Sequence, residues 1–268
     1  AYKHHVFMDF RLVSGREYEE LNAHLNGRGV SNLDVARREI VLGPVLQPLG
    51  QVINPTNLNN LIELAQERED PASLESLLRV NLDLIRQAGY AMQRQGLALG
   101  GDMEAASKQL EKCLRQILDL ENLDKKLGLS GKKIAPLLSK ALQEIDPRAK
   151  FVLLIWNFLS NLAGPANEAE NTQTARRFLD EEPTSQLVTE TLKGLGFGDY
   201  EAYKACQAIK WMLTNTNWLS EKDLTPSELL ERWLQDEQFK EYLELNEYNQ
   251  VFWFNKEKFE LMLWYMHI

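Results

Sequence analysis

"FVLLIWNFLSNL", residues 151–162, decides the fold class. Its apolar side chains fall all round a helical wheel rather than on one stripe, so a helix made from it must be covered on every side. The run is too short to span a bilayer, and Lys150 stands directly before it, so the cover has to be protein. It is the expected central core helix. Working outward, "LIELAQ" (61–66), "LESLLRVNLDLI" (74–85) and "LEKCLRQILDLENLDKKL" (110–127) repeat apolar residues at helical spacing, as helices with one buried face require.

Helix punctuation surrounds these segments. "SGRE" (14–17) and "SNLD" (31–34) fit the capping-box pattern, with Gly27 and Gly43 expected to close the two helices and Pro44 just beyond the second. Asn54-Pro55, Asp70-Pro71, Asp146-Pro147 and "TPSE" (225–228) place a capping side chain before a proline at the first helical position, where the missing N–H costs nothing. Gly96, Gly128 and Gly164-Pro165 read as stops. "REIVLGPVL" (38–46) has β-branched residues but reads as a helix end followed by a turn. The expectation is an all-α fold, a multi-helix bundle or orthogonally packed helices, with roughly ten to twelve helices and no sheet. "GPANEAENTQT" (164–174), polar and led by Gly-Pro, is the expected linker. It would separate an N-terminal helical lobe, 1–165, from an aromatic-rich lobe, 166–268, unless the two are one continuous domain. No fixed-period repeat is visible, although the short helix pairs leave an α-solenoid open.

Composition narrows the function classes. The net charge of −9 argues against nucleic-acid binding, which needs clustered Lys and Arg. Residues 199–268 alone hold 7 Lys+Arg against 13 Asp+Glu. Cys113 and Cys206 form neither a disulfide framework nor a CxxC pair and suit a reducing compartment. His4, His5, His24 and His267 show no metal-ligand spacing, so no metal and no cofactor are expected. With no signal peptide and no membrane-length run, the expected location is cytoplasmic. A chain that begins at Ala1 and ends in a helix without a stop reads as a piece of something larger.

Candidate chemistry is thin. "GLSGKK" (128–133) lacks the glycine spacing and the Ser or Thr of a phosphate loop, and reads as a helix stop and restart. "GLGFGD" (194–199) follows helix-forming sequence, and reads as a helix–helix turn with Asp199 as the next cap. Asp180-Glu181-Glu182 before Pro183 reads as a solvated helix start rather than an acid/base pair. No Ser/His/Asp or Cys/His set can be assembled, so catalytic residues stay unknown and the chain by itself leans away from being an enzyme.

Aromatic residues carry the functional signal. Fifteen of the 24 lie in residues 197–268, with Trp211, Trp218, Trp233, Trp253 and Trp264 among them. Trp211 and Trp233 sit among apolar residues at helical spacing and are expected in a core. Trp218, Trp253, Trp264 and Tyr265 are the candidate binding residues, because aromatic rings serve both sugar platforms and protein interfaces. Asn255 is expected to cap a last helix, and Val251, Phe252 and Phe254 before it to pack back on the same lobe. Beyond Glu260 the apolar residues wrap around that helix, so it is either internal or docked on a partner.

Residues 229–268, and "NEYNQVFWFNKE" (246–257) above all, resemble a helical segment of bacterial α-amylase-family glycosidases. There the segment belongs to an accessory, mostly helical region beside the catalytic barrel. The rest of the chain shows neither the strand–helix alternation of a barrel nor any of that family's catalytic motifs, so no catalytic residue carries over. The resemblance implies a non-catalytic accessory or interaction module of a carbohydrate-active enzyme. Such a module would use the C-terminal aromatic helix to meet an adjoining catalytic domain or protein partner, and could also hold glucan. A free-standing helical scaffold or adaptor that binds a protein partner is the alternative. An all-α enzyme with an unrecognised site is the third reading.

Overall fold

The computed structural model describes residues 12–30, 32–66, 70–98, 101–120, 146–166, 168–215, 225–249 and 251–267, the side chains of Arg16, Glu17, Pro226 and His267 excepted. Among these residues the fold is all-α, with twelve helices and one short hairpin. The first five helices are α1 (Arg16–Leu25), α2 (Leu33–Val52), α3 (Pro55–Gln66), α4 (Pro71–Arg94) and α5 (Met103–Leu118). Then come α6 (Ala149–Ser160), α7 (Ala169–Asp180), α8 (Glu182–Gly194) and α9 (Asp199–Thr214). The C-terminal part holds α10 (Pro226–Trp233), α11 (Glu237–Leu243), β1 (Asn246–Tyr248), β2 (Val251–Trp253) and α12 (Lys256–His267). Contacts divide the chain into Ala1–Pro44 and Val45–Ile268, a division that falls inside α2. In the first unit the Arg37 guanidinium lies 5.7 Å from the centre of the Tyr18 ring.

In the second unit, α6 is the core helix that its composition requires. Val152–Ile155 and Asn157–Ser160 are buried, and α5, α7 and α9 pack around it. α9 in turn packs on α7, α8 and α11, while α3, α4 and α5 pack on one another. Helices from before and after residue 165 therefore share one core. Amides at these helix contacts are hydrogen-bonded, as burial of a polar group favours. Asn157 Nδ2 donates to the Leu110 carbonyl on α5 at 3.2 Å. Asn57 and Asn81 exchange amide hydrogen bonds of 2.7 and 3.1 Å between α3 and α4.

Several caps follow the sequence pattern. Asn54 accepts from the Asn57 N–H, Asp70 from that of Ser73, and Asn255 from that of Lys258. Thr225 and Glu228 form the reciprocal box, each side chain bonded to the other's backbone N–H. Gly96 (φ 68) and Gly196 (φ 89) end α4 and α8 in the left-handed region, with Leu97 and Phe197 donating back to the carbonyls of Met92 and Leu192. The "GLGFGD" stretch is the helix–helix turn expected, although Gly198 rather than Asp199 occupies the cap position of α9.

Five local expectations need correction. The box at 14–17 does not form: Gly15 is the cap of α1 without a side-chain bond, because the helix begins too late for Ser14 to reach it. At the next helix the cap is Asn32, which accepts from the N–H groups of Asp34 and Val35. Gly43 and Pro44 do not end α2, which continues to Val52. The helix holds two internal prolines, Pro44 and Pro48, at about 3 kcal/mol each, and burying Leu42, Val45, Leu49 and Val52 offsets them at about 1.5–3 kcal/mol each.

The polar stretch 164–174 is no linker, since Ala169–Thr174 open α7. Asn171 and Thr172 are buried there, and Asn171 Nδ2 donates to the Glu168 carboxylate and the Pro165 carbonyl. A side chain at Gly164 would strike the Asn171 amide at 2.4 Å, so glycine marks this close approach rather than a flexible joint. The last correction concerns the sheet. Asn246–Tyr248 and Val251–Trp253 pair as antiparallel strands, with Asn246 opposite Trp253, Glu247 opposite Phe252 and Tyr248 opposite Val251. Asn249 at φ 51 makes the turn, a conformation asparagine tolerates, and the flanking aromatic and β-branched residues favour strands.

Candidate functional site

Two features stand out in the C-terminal half, and α11 and α12 belong to both. The first is the hairpin itself. A two-stranded ribbon directs alternate side chains to opposite faces, so Tyr248, Val251 and Trp253 share one face and Phe252 takes the other. All six residues of the two strands are exposed, with Trp253 at 61%. Val251 and Phe252 do not pack back on the lobe as the sequence suggests, because among the described residues the two-stranded ribbon has no second layer to cover it. Phe254 is exposed as well, although as the residue before the Asn255 cap its ring meets Phe259 one turn into α12, with centres 5.5 Å apart, in the manner of a hydrophobic staple. The base of the ribbon is fixed by the Asn255 N–H donating to the Leu243 carbonyl at 2.8 Å, and by Asn255 Nδ2 donating to Glu244.

The second feature is a cavity of about 170 Å³ bounded by the turn at Asp146–Arg148, the α8–α9 turn, α9, α11 and α12. Phe197, Ala205, Ala208 and Leu261 give it apolar walls, and Tyr242 and Tyr265 line it as well. Three cations reach it. Arg148 is committed to Asp146 at 2.6 Å and Glu201 at 2.9 Å, with its guanidinium 4.8 Å from the Phe197 ring centre. Lys258 is committed to Glu244 and also donates to the Tyr200 hydroxyl. Lys204, 8% exposed, donates to the Glu241 carbonyl and lies 5.7 and 5.9 Å from the Tyr200 and Tyr203 ring centres. It has no carboxylate within ion-pair distance among the described residues.

Electrostatics follow from these pairings. Burial pushes the Lys204 ammonium down, with Lys258 adding to the effect and Glu241 opposing it. The Lys258 hydrogen bond, then that of Asn255, holds the Glu244 carboxyl below the usual range. Burial, with Tyr242 and Asp146 nearby, raises the Tyr265 phenol well above its ordinary value, and burial alone raises that of Tyr242. Both phenols are therefore neutral hydrogen-bond donors at neutral pH. Burial also raises the Cys113 and Cys206 thiols, which disfavours the reactive thiolate.

The residues singled out by sequence end in different places. Trp211 and Trp233 are core residues as expected, their rings 5.2 Å apart edge to face, with Phe239 stacked on Trp211 at 4.6 Å. Trp253 is at the ribbon surface. Trp264 is half-buried on α12 with its ring 5.8 Å from that of Tyr265, and Tyr265 is a buried residue of the cavity wall. Trp218 lies outside the described residues, as do His4, His5 and the "GLSGKK" stretch. Asp180 is engaged with Lys210 and Arg176. Sequence reasoning missed Arg148, Tyr200, Lys204, Tyr242 and Lys258. The spacing of Tyr200, Tyr203 and Lys204 on one helix was the only local signal for any of them.

Fold and site together describe an all-α protein that carries an exposed aromatic ribbon next to a cavity with apolar walls and a cationic rim. Among the described residues no group of three His, Cys, Asp or Glu is placed to hold a metal ion, and no helix is long and apolar enough to cross a membrane. Comparison with known proteins returned no matching family model, curated protein or solved structure.

Proposed function

We infer that the chain is a non-catalytic helical interaction module that engages a protein surface through its aromatic ribbon. The supporting observation is the exposure of Tyr248, Val251, Phe252 and Trp253 together on one short hairpin. A lone two-stranded ribbon is at best marginally stable in water and needs a further layer to gain independent stability. Among the described residues neither face has one, and both strands leave edges open to a partner. Burying one such side chain contributes about 1.5–3 kcal/mol, so a partner covering Tyr248, Val251 and Trp253 on their shared face gains a core of the kind that dominates binding. In the reading drawn from the α-amylase-type resemblance, that partner is an adjoining catalytic domain, and the module acts in carbohydrate metabolism.

Hydroxyl-radical footprinting with residue-resolved mass spectrometry tests this. Tyr248, Phe252 and Trp253 should oxidise readily in the purified chain and be protected in the native gene product in cell extract. Equal reactivity in both would refute the interaction reading. Trp253 protection on adding maltoheptaose to the purified chain would support glucan as the occupant instead.

A further inference from the structure

We propose that the cavity between α9, α11 and α12 is a binding site for a small organic monocarboxylate with an apolar body, such as an aromatic or branched-chain acid. The inference is independent of what covers the ribbon. Three observations carry it: size, unused donors and charge.

A cavity near 150 Å³ lined by apolar side chains accepts a benzene-sized molecule, and this one is about 170 Å³ with Phe197, Ala205, Ala208 and Leu261 in its walls. Tyr242 and Tyr265 are 3% and 7% exposed, and neither hydroxyl has a hydrogen-bond partner among the described residues. Neither is among the buried polar atoms sealed off without a partner, so each hydroxyl reaches open space. Beside two residues otherwise enclosed by protein, that space is the cavity. A hydroxyl that opens into the cavity without a protein partner can donate to a ligand oxygen held there.

Charge selects the ligand class. An ammonium carries three donors, and Lys204 uses one on the Glu241 carbonyl. Arg148 and Lys258 already have their carboxylates, so Lys204 is the one cation lining the cavity without an acidic partner among the described residues. One uncommitted cation with two neutral phenol donors matches a monoanion whose two oxygens accept hydrogen bonds. A phosphate dianion would bring a second negative charge toward Asp146 and Glu201 on the same wall. An amine would meet Lys204 with like charge.

Titration calorimetry and ligand-observed NMR on the full chain test the proposal, with benzoate, phenylacetate and 3-methylbutanoate as probes. Benzamide, benzylamine and inorganic phosphate serve as controls. At least one of the three acids should bind with a Kd of about 1 mM or tighter, and the controls about tenfold more weakly or not at all. Tyr265→Phe and Tyr242→Phe should each keep the melting temperature, since no internal hydrogen bond is lost, yet weaken the acid severalfold. Lys204→Met should weaken it about tenfold or more. Should Lys204→Met fail to fold, the two phenol variants still decide the matter. Failure of all three acids to bind would overturn the proposal. So would equal binding of benzamide, or affinity unchanged in both phenol variants.

Discussion

Trp211 and Trp253 give the most direct test of how the aromatic residues divide between core and surface. The Trp211 ring is fully buried, stacked on Phe239 at an interplanar angle of 25° and met edge-on by Trp233. Replacing it by alanine removes the transfer energy and leaves a cavity, together about 3–5 kcal/mol, and each lost ring pair adds about 0.5–1.5 kcal/mol. One contribution runs the other way. The Trp211 indole N–H is buried without a hydrogen-bond partner, and its removal relieves about 1–3 kcal/mol. These two opposing terms nearly cancel, so the net loss stays near 3–5 kcal/mol. For a unit of this size each kcal/mol lowers Tm by about 2–4 °C, which predicts a drop of about 6–20 °C. Trp211→Phe keeps the stacking and removes the N–H, and should cost less than half as much. Trp253→Ala removes an exposed ring and should stay within about 0.5 kcal/mol, or about 2 °C. Thermal unfolding followed by far-UV circular dichroism measures all three. A Trp211→Ala shift no larger than that of Trp253→Ala would refute the division of aromatics between core and ribbon.

Two further outcomes follow from pairings in the fold. Asn81→Ala should destabilise by about 1–3 kcal/mol, because it strips the donor from Asn57 Oδ1 at the α3–α4 contact while Asn57 Nδ2 keeps the Val52 carbonyl; in urea unfolding, a double-mutant cycle with Asn57→Ala should show non-additivity, and strict additivity would count against the pair. Acidification should loosen the C-terminal half: Asp146 and Glu244 have carboxyls depressed by Arg148 and Lys258 respectively, so their stabilisation is complete above the ordinary carboxylate range and lost as pH falls through their lower folded values. Tm measured from neutral pH downward should therefore fall less steeply in Glu244→Gln than in the parent, and parallel curves would remove Glu244 from the account.

What sequence by itself determined is local or compositional. An N-cap joins groups two or three residues apart, so Asn54, Asp70, Thr225 with Glu228, and Asn255 were legible from neighbours alone. The all-round apolar surface of α6 required burial whatever its neighbours, and the helical spacing of Trp211 and Trp233 placed them inside. Tertiary structure decided the rest. Gly43-Pro44 looks like a stop, and only the burial of the residues after it carries α2 through. Ala169–Thr174 looks like a linker, and it becomes helix because the Asn171 amide finds Pro165 and Glu168 in a closely packed turn. The ribbon was hidden because its strands are three residues each, too short for an alternation to register against the flanking helices. The cavity could not be read at all. Asp146, Lys204, Tyr242 and Tyr265 meet through helix packing across long stretches of chain, and no spacing rule reaches that far. Whether Lys204 keeps an acidic partner, and whether two phenols keep a free hydroxyl, is set by which side chains packing brings within about 4 Å, the range over which such groups pair.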